Sequence, residues 1–129
     1  MYKLRTYPEF ELQKQVCRYL TAQYPQVFFL SDTIASLRLT GAQKGRNAAI
    51  QKKGFHCPDL LILEPKKGYA GLLIELKVKS PFKKDGSLRK DDHLEDQHKS
   101  ITQLNERGYF AQFSWSFEQT QKLIDWYLN

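Results

Sequence analysis

The stretch His56-Cys57-Pro58-Asp59-Leu60-Leu61-Ile62, followed further on by Ile74-Glu75-Leu76-Lys77, sets three charged side chains inside two apolar runs. Asp59 opens the first run. Glu75 and Lys77 occupy alternate positions of the second, and alternate side chains of a strand share one face of its sheet. Carboxylates and an ammonium buried there cost free energy unless they pair with each other or bind a cation. Two carboxylates converging beside a lysine suit a hard divalent ion such as Mg²⁺, which prefers oxygen ligands and keeps several waters. The competing reading is a structural ion pair between Glu75 and Lys77.

Other polar residues stand where the apolar pattern predicts an inward face. Gln97 is in register with Leu94, Ile101 and Leu104, so an amide occupies the buried stripe of a helix and needs a partner there. Near the N-terminus, Glu9 falls on the stripe of Val16, Cys17 and Leu20 on a 100° helical wheel, whereas Glu11 points nearly opposite. Glu9 is the choice for an inward acid, with a first-turn acid favourable to the helix dipole as the alternative. His56-Cys57 and His93 with His98 lack the paired spacing of a tetrahedral zinc site and read as structural or solvent-facing. Arg38, Lys44, Arg46, Lys52 and Lys53 precede the Pro-Asp strand and could neutralise phosphates of a polyanion. The basic stretch from Lys83 to Lys90 competes for that role.

The elements that position these residues follow from period and punctuation. Glu9 to Tyr24 reads as an amphipathic helix closed by Pro25. Val27 to Leu30 reads as a short strand, and Gly41 to Lys53 as a polar helix capped at Gly54. Asp59–Leu63 and Gly71–Val78 form a predicted hairpin around Pro65-Lys66-Lys67-Gly68. Ser80 to Lys90, with Pro81 and Gly86, reads as a flexible, solvated loop. Asp92 with Glu95 resembles a capping box for a helix to Arg107 that stops at Gly108. Tyr109 to Trp115 alternates as a strand, and Ser116 with Gln119 caps a last helix to Leu128. The order is α-β-α-β-β-α-β-α.

The chain has 129 residues, with hydrophobic residues at 41% and charged ones at 26%. These values describe one globular domain over 1–129 and exclude a disordered or membrane-embedded class. No apolar run has the length of a membrane span, and Met1-Tyr2-Lys3-Leu4-Arg5 lacks the features of a secretory signal, so a cytoplasmic location is expected. Two cysteines, Cys17 and Cys57, are too few for a disulfide framework. Twenty Lys and Arg against 14 Asp and Glu leave a formal charge of +6, which suits a polyanionic partner.

Pro58-Asp59 followed by Glu75-Leu76-Lys77 resembles the signature of the PD-(D/E)XK nucleases. The likeness extends to Glu9 on the first helix, the basic segment before Pro58-Asp59, Gln97 on a later helix and the Gly108-Tyr109 strand. This ordered set is similar to the VRR-NUC branch, small virus-type replication-repair nucleases often encoded by phages. The resemblance implies an α/β fold of restriction-endonuclease type, a mixed central sheet flanked by helices. It also implies metal-dependent hydrolysis of DNA, with Mg²⁺ or Mn²⁺ held by Asp59, Glu75 and the Leu76 carbonyl. Lys77 would position the attacking water, and Glu9 and Gln97 would complete the catalytic set. DNA is the implied partner, a homodimer a common assembly, and a bacterial or phage-infected cell the setting. Two further readings stand beside this one: a non-catalytic nucleic-acid-binding module on the same fold, and a protein-binding adaptor using aromatics near Trp115 and Trp126.

Overall fold

The computed structural model describes residues 8–31 and 39–129. The reading of Met1 to Arg5, and Arg38, lie outside the described residues. Four helices and four strands follow one another as α1 (Pro8–Gln23), β1 (Phe29–Ser31), α2 (Gly41–Ile50), β2 (Leu60–Ile62), β3 (Leu72–Leu76), α3 (Asp92–Glu106), β4 (Phe110–Ser114) and α4 (Phe117–Leu128). This is the predicted order and the expected α/β class. The strands lie side by side in chain order, with β1–β2 and β2–β3 antiparallel and β3–β4 parallel, so the sheet is mixed.

Alternation along β3 divides the core into two layers. Leu72, Ile74 and Leu76 join Val16 and Leu20 of α1 and Ile124, Tyr127 and Leu128 of α4 on one face. Leu73 joins Ile101 and Leu104 of α3 and Phe113 of β4 on the other. All five residues of β3 are buried, as a central strand covered on both faces requires. The α1–α4 pair is tied by Asp125, whose Oδ1 accepts from the hydroxyls of Tyr19 at 2.5 Å and Tyr24 at 2.6 Å. On the opposite side, Asn105 of α3 doubles as a strand. Its amide donates to Ala111 O at 2.9 Å and accepts from Ala111 N at 2.8 Å, which occupies the outer edge of β4.

Several boundaries differ from the sequence reading. β2, β3 and β4 are shorter by one or two residues at each end, and β1 is displaced to Phe29–Ser31 from the expected Val27–Leu30. α2 stops at Ile50 with Gln51 as its C-cap, not at Gly54, and it buries none of its residues, so no packing extends it. The N-cap of α3 is Asp91, whose carboxylate accepts from the N–H groups of His93 and Leu94, and not Asp92. In α4 the Ser116 cap holds, but Gln119 reaches back to the Trp115 N–H at 2.8 Å. The Pro65–Gly68 turn is as expected, with Lys67 and Gly68 both at positive φ between Lys66 and Tyr69, which pair.

The largest difference is at residues 80–90. In place of a flexible, solvated loop there is a small hairpin in which Phe82 pairs with Leu88. Lys83 N donates to Ser87 O at 2.7 Å and Arg89 N to Pro81 O at 2.9 Å. Its root is apolar: Phe82 meets the rings of Phe113 and Trp115 edge-on at 5.9 and 5.8 Å. Composition alone, basic and punctuated by Pro81 and Gly86, hid an anchor at Phe82 whose ring partners lie on β4 and one residue past its end.

Candidate active site

Proline at 58 ends the pairing of β2, because it has no N–H to offer the ladder. The β2–β3 register pairs Leu60 with Ile74, and one further step sets Asp59 opposite Glu75. Asp59 Oδ2 accepts from Leu76 N at 2.8 Å. Pro58-Asp59 thus works as a unit: the proline stops the strand and the aspartate takes up a β3 amide just beyond the last β2–β3 pair.

Two residues of α3 hold this arrangement from the side. Ser100 Oγ accepts from His56 N at 2.9 Å, pinning the segment that leads into Pro58. Gln97, 6% exposed, donates from Nε2 to Glu75 Oε1 at 2.8 Å. The same nitrogen lies 3.1 Å from His93 Nε2, so with both amide hydrogens on these partners His93 presents an acceptor there. Gln97 Oε1 is buried with no hydrogen-bond partner. The amide is therefore spent on the site and not on helix backbone.

Burial raises the Asp59 carboxyl above its ordinary value against the Leu76 N–H that stabilises its charge; Glu9 adds to the rise and Lys77 opposes it. Glu75 is displaced further. Burial first, then the Asp59 charge and the hydrogen bond between the two carboxyls, push it up to about 9. At neutral pH and without a cation, Glu75 holds a proton. Among the described residues the ion pair is Glu11–Lys14, with His56 Nε2 lying 3.8 Å from Asp96 Oδ2; Lys77 pairs with neither acid. The structural ion pair considered for Glu75 and Lys77 is not formed.

A cavity of about 440 Å³ opens over these groups, within the usual range of ligand pockets of roughly 300–1,000 Å³. Glu9, Asp59, Glu75, Lys77 and Gln97 all line it. An oxygen-seeking divalent cation fits this donor set. Two adjacent carboxyls that must keep a proton when alone can both ionise once a dication stands beside them. No group of three or more His, Cys, Asp or Glu residues among the described ones could cage an ion. Two carboxylates suit instead an ion that retains water and accepts substrate oxygens.

No protein-family model matches the chain, and no curated protein matches it. Solved structures do. One described as a "VRR_NUC domain protein" superposes with a TM-score of 0.63 at 21% identity, covering 97% of this chain and 91% of its own. A second, described as "VRR_NUC domain", gives 0.52 at 22% identity, covering 93% of this chain and 97% of its own. The chain has the VRR-NUC fold.

Within the VRR-NUC fold the five expected catalytic positions share one cavity, although they come from α1, the residue before β2, β3 and its end, and α3. Glu9 faces the cavity, while Glu11 pairs with Lys14 at 3.1 Å on the surface. The expected nucleic-acid contacts divide differently. Lys44, Arg46, Lys52 and Lys53 are exposed and do not line the cavity; from the same region Asn47 and Gln51 do. These amides, one helical turn apart and bonded to each other at 2.9 Å, were missed because the basic residues dominate the stretch. Also missed were His56 and His93, which meet edge-on at 5.6 Å in the cavity wall, and Cys57. The one available signal was position: His93 lies one turn before Gln97 on the same helix face. Of the tryptophans weighed for an adaptor, Trp115 is part-buried under Phe82, and Trp126 is 48% exposed beside Lys67. No helix of the described residues is long and apolar enough to cross a membrane.

Proposed function

We propose that this chain is a metal-dependent nuclease of the VRR-NUC family that hydrolyses phosphodiester bonds of DNA. The observation that carries the reading is the pair of carboxyls, Asp59 and Glu75, forced together at one strand end with Lys77 and Gln97 in the same cavity. In this reading Asp59 and Glu75 hold a Mg²⁺ or Mn²⁺ ion, with the Leu76 carbonyl as a further ligand. The ion would supply a Lewis acid that makes its water more acidic and offsets charge on the phosphate. Lys77 directs its ammonium at the scissile phosphate and the attacking water, where charge grows in the transition state. Gln97 orients Glu75 through its N–H. Glu9, across the cavity, takes the proton of a water or adds a further carboxylate.

Among the described residues there is no separate element for reading base edges, which favours selection by substrate shape, such as a branched or nicked duplex, over sequence recognition. The corresponding setting is replication or repair in the cytoplasm of a bacterium or a phage-infected cell. A homodimer would present two sites to a two-strand substrate. The deciding experiment incubates the purified chain with linear, circular, single-stranded and branched DNA in Mg²⁺, Mn²⁺ or EDTA. Cleavage in either metal and none in EDTA supports the reading. Metal-independent DNA binding with no cleavage in any condition replaces it with the non-catalytic module.

A further inference from the structure

Beside the catalytic cavity lies a second, of about 210 Å³, that shares Glu9, Lys77 and His93 with it. Its remaining cations are Lys79, just past the end of β3, and Arg89, on the return arm of the 80–90 hairpin. Among the described residues none of Lys77, Lys79 and Arg89 has an ion-pair partner. Three like charges around one concavity repel one another unless an anion is placed among them. The acids on the rim do not fill that role. Asp91 is committed to the α3 amides of His93 and Leu94, and Glu9 stands at the border with the catalytic cavity.

Size and rigidity narrow the ligand. At 210 Å³ the space is below the roughly 300–1,000 Å³ usual for a free small-molecule ligand. It suits one segment of a polymer whose neighbouring segment occupies the adjoining cavity. The Arg89 backbone is held by its bond to Pro81, which is buried, and the hairpin is rooted by Phe82 packed edge-on against Trp115. A charge held this way loses less entropy on binding than one on a mobile loop. Lys83, Lys84 and Lys90 extend the same basic surface along the exposed hairpin. α2, by contrast, carries Lys44 and Arg46 on a convex helix that buries nothing and turns amides to the cavity.

We propose that this second cavity seats the backbone phosphate next to the scissile one, with Lys79 and Arg89 as its ligands and the 80–90 hairpin as a rigid clamp on the DNA strand. The proposal rests on the nuclease reading for which phosphate lies where, but not on cleavage for its test. Binding of a fluorescently labelled DNA duplex is followed by anisotropy in EDTA across a KCl series. Lys79→Ala, Arg89→Ala and their double variant are compared with Lys44→Ala/Arg46→Ala and with Lys122→Ala on α4. Each phosphate no longer neutralised should lower the slope of log K against log salt by about 0.9, so the Lys79/Arg89 double variant, which empties this one seat, should lose about 0.9. Lys122→Ala should keep the parental slope. Both target side chains are exposed, and thermal melts check that the variants fold. Loss of slope in the double variant supports the seat whether or not the parent cuts DNA. An unchanged slope in that variant overturns it, most plainly if the α2 pair carries the loss. A parent chain with no affinity for DNA overturns it together with the proposed function.

Discussion

Replacing Glu75 by glutamine keeps the shape of the side chain and removes its titration. In the parent, the carboxyl moves from an ordinary 4.5 to about 9 on folding, through burial and then through Asp59. Between those values the folded chain holds a proton that the unfolded chain has released, so stability falls as pH rises through the window. Each unit costs about 1.4 kcal/mol, which reaches about 3 kcal/mol at pH 7. Glutamine is neutral throughout and carries none of this cost. It can still meet Gln97, and its added N–H groups offer a donor to the orphaned Gln97 Oε1. Glu75→Gln should therefore be more stable than the parent in EDTA. The gain should be about 3 kcal/mol at pH 7, or roughly 10 °C in Tm for a chain of this size. It should shrink toward zero near pH 4.5 and grow toward pH 9. Mg²⁺ should reverse the order by raising the Tm of the parent alone, as a ligand of the folded state does. Urea or thermal denaturation of both chains from pH 4.5 to 9, with EDTA and with Mg²⁺, measures all of this. Parallel pH profiles, with the glutamine variant the weaker at pH 8 in EDTA, would refute the claim that the two acids are held too close to ionise together.

Asp59→Asn should weaken metal binding and cleavage together, whereas Lys77→Ala should keep the calorimetric metal isotherm and lose roughly 10²–10³-fold in single-turnover rate; equal metal affinities in the two variants would collapse the division of roles. Gln97→Ala should reduce cleavage by roughly 10–100-fold with a Tm close to the parent, as expected of a group that orients a metal-binding carboxylate. Ser100→Ala, which strands the His56 amide, should instead cost about 1–3 kcal/mol in urea; the reverse pattern would make Gln97 a packing residue. Asp125→Ala should bring the Tyr24 hydroxyl, pushed up to about 12 by burial and then by Asp125, back toward 10 in an ultraviolet titration. An unmoved late ionisation would assign the shift to burial alone.

The legible part of the site was the part governed by local periodicity. Glu75 and Lys77 could be set on one sheet face from the strand period, with Asp59 at the start of the preceding strand, and Glu9 and Gln97 on inward stripes from the helical one, because backbone geometry carries that information along the chain. The element order was legible for the same reason, through caps and breakers such as Pro25, Ser116 and Gly108. What tertiary structure decided was everything that depends on distance between segments remote in sequence. Whether Glu75 pairs with Lys77 or shares a proton with Asp59 turns on burial and on a register one step beyond the last β2–β3 pair. That α2 offers Asn47 and Gln51 to the cavity while its cations face solvent depends on how the helix is rotated, which its weakly amphipathic sequence leaves open. The basic stretch from Ser80 to Lys90 reads as a solvated loop until Phe113 and Trp115, remote in sequence, are brought against Phe82. Burial is a property of the assembled chain, and it is burial that turned a solvated loop into a hairpin and an ordinary glutamate into an acid that keeps its proton at neutral pH.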